Sequence, residues 1–252
     1  MERTVIVTGA SRGIGKAVAI ELAHAGYDLL LIARSAPHLA EVASACAKKG
    51  VLATALVLDV TARDAGAQLA KAVSAMPRRV WGLVNNAGMA QSAPLSQTDD
   101  ELLLSHMELN FHAPMRLTRA AVPLMQGGCV VNVCSTAALT GYPYVSAYAA
   151  SKHALLGATR SLAREFALRG VTFNAVCPGY VRTEMFEQTL SNIAAKAKID
   201  KSGAEQKLAE LSPQNRIFEP GEVAKLVRFV LSEDARGING QALTIDGGEI
   251  EH

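Results

Sequence analysis

Thr4-Val5-Ile6-Val7-Thr8-Gly9-Ala10-Ser11-Arg12-Gly13-Ile14-Gly15 is the stretch whose reading decides the fold. Its first half is a short run of β-branched residues, the composition of a buried strand. Its second half places Gly9, Gly13 and Gly15 close together, and a helical pattern follows to about Ala25. Glycine lets the backbone turn sharply and approach a ligand, while a helix N-terminus offers unpaired N–H groups and a partial positive charge. Strand, glycine turn and helix in that order suit a pyrophosphate. The spacing is G-x-x-x-G-x-G rather than G-x-G-x-x-G, and a plain tight turn is the alternative.

Similar apolar runs recur along the chain: Asp28–Ala33, Val51–Leu58, Val80–Val84, Cys129–Cys134, Val171–Val176 and Gln241–Ile245. Several are continuous in Val, Leu, Ile and Ala rather than alternating, as in strands covered on both faces. With helical patterns between them, they predict an α/β fold: a Rossmann-like doubly wound parallel sheet of about seven strands with helices on both faces. No repeat, linker or composition shift divides the chain, so residues 1–252 read as a single domain, with the glycine turn pointing to dinucleotide binding.

Half of the residues are hydrophobic, enough for a sizeable core, and only 19% are charged. So few charges suggest that part of the surface is buried in an oligomer. A net charge of +2 without a basic cluster argues against nucleic acid. No signal-peptide pattern opens the chain, and no apolar stretch approaches the ~18 residues of a membrane span. Cys46, Cys129, Cys134 and Cys177 show neither CxxC nor zinc spacing. They read as reduced and buried in a cytoplasmic protein. Cys134, at the end of an apolar run, is a poor nucleophile candidate, and no carboxylate pattern suggests a metal.

Tyr148 and Lys152 stand four residues apart in Tyr148-Ala149-Ala150-Ser151-Lys152. On a helix that spacing puts their Cβ atoms about 5–6 Å apart on one face. An isolated phenol, with a pKa of about 10, is a weak acid–base catalyst at neutral pH. A neighbouring ammonium favours the phenolate by roughly 2–3 pK units, which predicts a proton donor poised near pH 7–8. Taken alone, such a pair is most often an ordinary helix surface, and the case for chemistry comes from what surrounds it.

Together these residues resemble the short-chain dehydrogenase/reductase family. The glycine motif, Asn85-Asn86-Ala87-Gly88, Ser135, Tyr148-x-x-x-Lys152 and Pro178-Gly179 follow its order, and similar motifs run from Thr8 to Gly248. The resemblance implies a catalytic tetrad of Asn110, Ser135, Tyr148 and Lys152. In it Tyr148 donates a proton, Lys152 lowers its pKa and binds the nicotinamide ribose, Ser135 holds the substrate oxygen, and Asn110 supports a water linked to the lysine. Ser135 has no Gly-x-Ser-x-Gly context, which disfavours acyl transfer. His106 and His112 flank Asn110 and read as helix-surface or interface residues, on a helical region from about Asp99 to Met125 interrupted near Pro114.

Cofactor contacts implied by the resemblance are Gly9, Ser11, Arg12, Gly13, Ile14 and Gly15 in the first turn, Arg34 after the second strand, and Asp59 and Val60 after the third. Asn86, Ala87 and Gly88 follow the fourth strand, Tyr148 and Lys152 are shared with catalysis, and Pro178, Gly179, Val181 and Thr183 follow the sixth. An NAD enzyme usually carries an acid near the end of its second strand. Here the acid, Asp28, lies at the strand's start, while Arg34 follows its end. An arginine there attracts a 2′-phosphate, so NADP(H) is preferred over NAD(H), with Arg12 as a second cation; both arginines as solvated charges is the alternative. Asp59 or Thr61 also reads as a helix cap.

Residues of about 184–213 resemble a substrate lid. Met185, Phe186 and Leu190 either line an acyl-sized pocket or pack the lid onto the body. Lys196, Lys198, Lys201 and Lys207 either meet thioester phosphates or form a solvated face. The implied activity is hydride transfer between NADP(H) and a carbonyl or secondary alcohol, with a 3-oxoacyl or 3-hydroxyacyl thioester first among small-molecule substrates. Another ketone, sugar, polyol or steroid is the alternative, and a non-catalytic NADP(H)-binding regulator the rival from a different class. A homotetramer through the helices around Asn110 and Lys152 is implied as well.

Overall fold

Seven strands form one sheet: β1 (Arg3–Thr8), β2 (Asp28–Ala33), β3 (Ala53–Val57), β4 (Arg79–Asn85), β5 (Met125–Val133), β6 (Val171–Pro178) and β7 (Ala242–Ile245). The computed structural model describes residues 3–250, apart from the side chain of Lys196. All neighbouring strands run parallel, in the order β3-β2-β1-β4-β5-β6-β7. The expected seven-strand doubly wound sheet is what forms.

Helices cover both faces. On one side α1 (Gly13–His24), α2 (Ala36–Ala47) and α9 (Pro220–Leu231) bury Val18, Leu22, Leu39, Val223 and Val227 against Val5, Leu29 and Val131. On the other, α3 (Ala65–Ser74), α5 (Ala113–Ala121) and α6 (Ser146–Glu165) bring Leu69, Leu117 and Ala163 against Ile6, Leu30, Leu83 and Phe173. Alternate residues of each central strand thus feed opposite cores, which is why those strands read as continuous apolar runs. The reading fails at the edge: β3 has one neighbour and is largely exposed.

The region from Asp99 to Met125 is not one helix. It divides into α4 (Asp100–Met107), a π turn (Glu108–His112), α5 and a 3₁₀ turn (Val122–Leu124), and Met125 already begins β5. Pro114 lies in the first turn of α5, where its missing N–H costs no hydrogen bond. The interruption precedes the proline and coincides with Asn110. After β6 come α7 (Glu184–Ala197) and α8 (Lys201–Ala209), joined through Lys198 in the left-handed region (φ 54°).

Candidate active site

Strand order reverses between β1 and β4, and ligands of such sheets bind at the carboxyl ends of the strands there. The two ends are tied together. Asn86 N and Ala87 N donate to Thr8 Oγ1 at 2.9 and 3.0 Å, and Asn86 Nδ2 donates to the Thr8 and Gly9 carbonyls at 2.9 and 3.3 Å. Asn86 is therefore a brace for the turn, and Thr8, not among the expected cofactor contacts, is its anchor.

The turn fits a pyrophosphate. Gly9 has φ +63°, and a Cβ on Gly15 would stand 2.2 Å from the Gly9 carbonyl oxygen, so the helix can start this close to the strand only with glycine. Arg12, the N-cap of α1, gives no side-chain acceptor, and the first turn carries no acid. The amides from Gly13 to Gly15, beside Ser11 and Ile14, thus present an uncapped helix N-terminus to an anion. Arg12 does not turn toward Arg34: its guanidinium pairs with Glu184 at the start of α7. A Cβ on Gly13 would lie 3.3 Å from Thr183 Cγ2, so turn and α7 meet here.

Arg34 is exposed just beyond β2 and helps hold Asp59 charged. Hydrogen bonds from Thr61 Oγ1 (2.7 Å) and Thr61 N (2.9 Å) hold that carboxyl below its usual range. Neither Asp59 nor Thr61 caps α3, which starts later with Asp64 as N-cap. Asp28 is buried at the opposite edge of the sheet, paired with Arg78 at 2.8 Å. No acid therefore ends β2. Val60 is buried, and its carbonyl accepts from Arg116 at 3.1 Å.

The four tetrad residues converge beside this turn. Lys152, itself buried, donates to the Val133 carbonyl at 2.9 Å and stands 5.8 Å from the Tyr148 ring centre. A Cβ on Gly88 would lie 3.0 Å from Asn110 Oδ1 and 3.6 Å from Lys152 Nζ, so the turn after β4 packs against both. Asn110, fully buried, accepts from Met89 N (2.9 Å) and donates to Met89 O (2.9 Å) and Ser151 Oγ (3.0 Å). Ser151 in turn donates to the Tyr148 carbonyl at 2.7 Å. Ser135 Oγ caps the turn Thr136–Ala138 by accepting from Ala137 N at 3.1 Å. Its proton is not used in that bond, and Ser135 is near enough to Tyr148 to pull that phenol's pKa down.

Two expectations change here. The Tyr148 phenol is not brought toward pH 7–8. Burial pushes its pKa up to about 12 against the lowering hydrogen bond with Ser135, and burial also lowers the pKa of Lys152. Neither group shifts the other; taking each out of water disfavours its ionised form and sets both directions. His106 is not a surface residue: it is fully buried, Nε2 accepts from Gln91 N at 3.1 Å, Nδ1 bonds to the Leu102 carbonyl, and its ring meets that of Tyr148 edge-on at 6.3 Å. Spacing on α4 alone does not separate its buried face from its exposed one.

After β6, Pro178 ends the strand and Gly179 N donates to Ile245 O at 3.2 Å. Val181 bridges to Phe218. Thr183 caps α7, accepting from Phe186 N at 3.3 Å. Phe186 and Leu190 are buried with Leu208 and Ile217 between α7 and α8, so they pack this pair rather than line a pocket; Met185 is exposed. Lys201 lies 4.0 Å from Glu187, in keeping with a solvated face. The expected role of the Lys196 side chain falls outside the described residues.

The family model described as short chain dehydrogenase matches residues 3–194. The chain is 36% identical to short-chain dehydrogenase/reductase FrzI of Cladobotryum sp., over 98% of this chain and 96% of that protein. Among solved structures it superposes on L-sorbose reductase from Gluconobacter frateurii in complex with NADPH and L-sorbose. There the TM-score is 0.93 and identity 30%, covering 99% of this chain and 97% of that one. A variant of actinorhodin polyketide ketoreductase with NADPH gives 0.92 and 29%, covering 99% and 98%. The match of the family model over most of the chain and the similarity to these relatives over nearly its full length agree: the chain belongs to the short-chain dehydrogenase/reductase family of oxidoreductases.

Proposed function

We propose that the protein is an NADP(H)-dependent carbonyl reductase, working reversibly on a secondary alcohol. One observation carries the reading: Tyr148 and the buried Lys152 stand one helical turn apart on α6, with Lys152 Nζ 5.8 Å from the Tyr148 ring centre. The nicotinamide, when bound, supplies the hydride. Tyr148 gives its proton to the oxygen that gains charge, and Ser135, its lone pair engaged by Ala137 N, donates its own hydrogen bond to that oxygen. Lys152 has one N–H on Val133 and keeps the others for ribose hydroxyls. Asn110 fixes the Met89 backbone and, through Ser151, the first turn of α6. A non-catalytic regulator has no use for a complete tetrad.

Arg34 beyond β2, with no acid there, supports NADP(H) over NAD(H). Two similar structures carry NADPH. The likeness to a polyketide ketoreductase supports a 3-oxoacyl thioester, and that to L-sorbose reductase supports a small hydroxylated ketone. With Phe186 and Leu190 spent on packing α7 to α8, the geometry favours the small ketone; the α7–α8 pair serves as the lid over it. Exposed Leu103 and Leu104 on α4, beside α6, support a homotetramer, and light scattering of the purified protein checks it. Four free, buried cysteines support a cytoplasmic enzyme; among the described residues no helix is long and apolar enough to cross a membrane.

The test is NADPH oxidation over acetoacetyl-CoA, longer 3-oxoacyl thioesters, ketoses, hydroxyacetone and plain ketones. Turnover of at least one class is expected, with kcat/KM higher for NADPH than NADH. NADPH binding without turnover of any carbonyl overturns the reading.

A further inference from the structure

The tetrad leaves one group at this end of the sheet without a role. β7 runs into Asp246-Gly247-Gly248-Glu249, a turn with Gly247 and Gly248 at φ +67° and +88°. Asp246 fixes it: its carboxylate accepts from Gly248 N (3.1 Å) and Ile250 N (3.0 Å), and its carbonyl accepts from Ser212 Oγ (2.7 Å). This turn aims Glu249 back at the site. Its Oε1 accepts the Tyr142 hydroxyl, and its Oε2 would stand 3.1 Å from a Cβ on Gly179. Tyr142 lies close enough to Thr136, the neighbour of Ser135, for its pKa to feel it, and Tyr180 feels both Glu249 and Tyr148.

Glu249 is thus a half-buried carboxylate between the loop after β5, which carries Ser135, and the loop after β6, which carries Gly179. Among the described residues no cation pairs with it, and Tyr142 is its hydrogen-bond donor, so Oε2 stays open. A half-buried charge left this way is costly unless something donates to it.

We propose that Glu249, supported by Tyr142, is a specificity-determining residue, and that the substrate is a neutral ketone carrying a hydroxyl near its carbonyl, which donates to Glu249 Oε2. This deepens the carbonyl-reductase reading and rests on it. A carboxylate here also disfavours 2-oxo and 3-oxo acids through like-charge repulsion, and a 3-oxoacyl thioester brings no donor to it.

The test compares hydroxyacetone with butanone, nearly the same in size, by kcat/KM with NADPH in the wild type, Glu249→Ala, Glu249→Gln and Tyr142→Phe. The hydroxyl also activates the carbonyl, so the reading is the change of the ratio between proteins. A hydrogen bond to a charged acceptor predicts that Glu249→Ala lowers the hydroxyacetone/butanone ratio about tenfold, with Glu249→Gln and Tyr142→Phe in between. Calorimetry of 1,2-propanediol on the NADP⁺ complex should show weaker binding in Glu249→Ala by a similar factor. If Glu249→Ala does not fold, Glu249→Gln and Tyr142→Phe carry the test. A ratio unchanged in every variant overturns the proposal, as does a preference for aminoacetone over hydroxyacetone that Glu249→Ala removes. Failure of the wild type on every carbonyl, with NADPH bound, sinks the reductase reading instead.

Discussion

Asn110 and Glu249, the one assigned to the tetrad by resemblance and the other to the substrate by our proposal, are held in different ways. Asn110 is fully buried in the π turn, with both ends of its amide bonded to Met89 and Ser151. Glu249 sits on the chain's last turn, half open, with one hydrogen bond from Tyr142. A buried amide has no water to fall back on, so its partners must be in place, and its position is over-determined. A carboxylate at the rim can change partner at little cost. The floor of the site is therefore built to hold one chemistry and the rim is free to choose among substrates.

The comparison breaks most sharply at Tyr148. Tyr148→Phe keeps the ring against His106 and removes only the proton donor; turnover should fall by about a thousandfold or more while NADPH binding, followed by fluorescence, changes little. Retained turnover would detach the floor from the chemistry. Next in size is cofactor choice, which lies at the open end of the cleft. Arg34→Asp should lower the NADPH-to-NADH ratio of kcat/KM by about a hundredfold, because it replaces a cation by an anion where a 2′-phosphate would lie. A ratio left in place would move phosphate recognition elsewhere, with Arg12 released from Glu184 as the first alternative.

Stability sharpens the contrast further. Asn110→Ala leaves the Met89 N–H and carbonyl without their partner in a closed site. It should cost about 2–4 kcal/mol in urea denaturation. Glu249→Gln, at the rim, should stay within about 0.5 kcal/mol of the wild type. Equal losses at both positions would mean that the rim is as rigid as the floor.

The floor was also the legible part. Continuous apolar runs reveal a doubly covered sheet, and Gly9 to Gly15, Ser135, Tyr148 and Lys152 are local patterns that keep their meaning in any such sheet. The structure gathers them at the carboxyl end of the sheet. His106 was not legible as a buried residue, because its burial depends on how α4 lies against α6 and on Gln91, far from it in sequence. Thr8 and Ser151 are common residue types whose roles come from partners 78 and 41 positions away. Glu249 has one signal, the Asp-Gly-Gly turn before it, but its partner Tyr142 lies 107 positions upstream. Phe186 and Leu190 read equally as pocket or packing, since only the position of α8 decides what their faces meet.

The least conspicuous effect is a missing one, and it bears on how the floor works. Burial pushes the Tyr148 pKa up to about 12, which predicts a phenol that keeps its proton across the working range. Reduction uses that protonated form, which is fully populated below the raised pKa. kcat for ketone reduction should therefore be flat from roughly pH 6 to 9. Oxidation of the alcohol needs the phenolate, whose fraction grows tenfold per pH unit below the pKa, so log kcat in that direction should climb with a slope of about one over the same range. Had the attraction between Tyr148 and Lys152 outweighed burial, both profiles would bend near pH 7–8. A bend there in the reduction profile, absent from binding of NADPH, would show that the charge of the bound nucleotide retunes the phenol. The protein's own burial would then set only the resting state, and the floor would count as completed by its cofactor rather than finished beforehand.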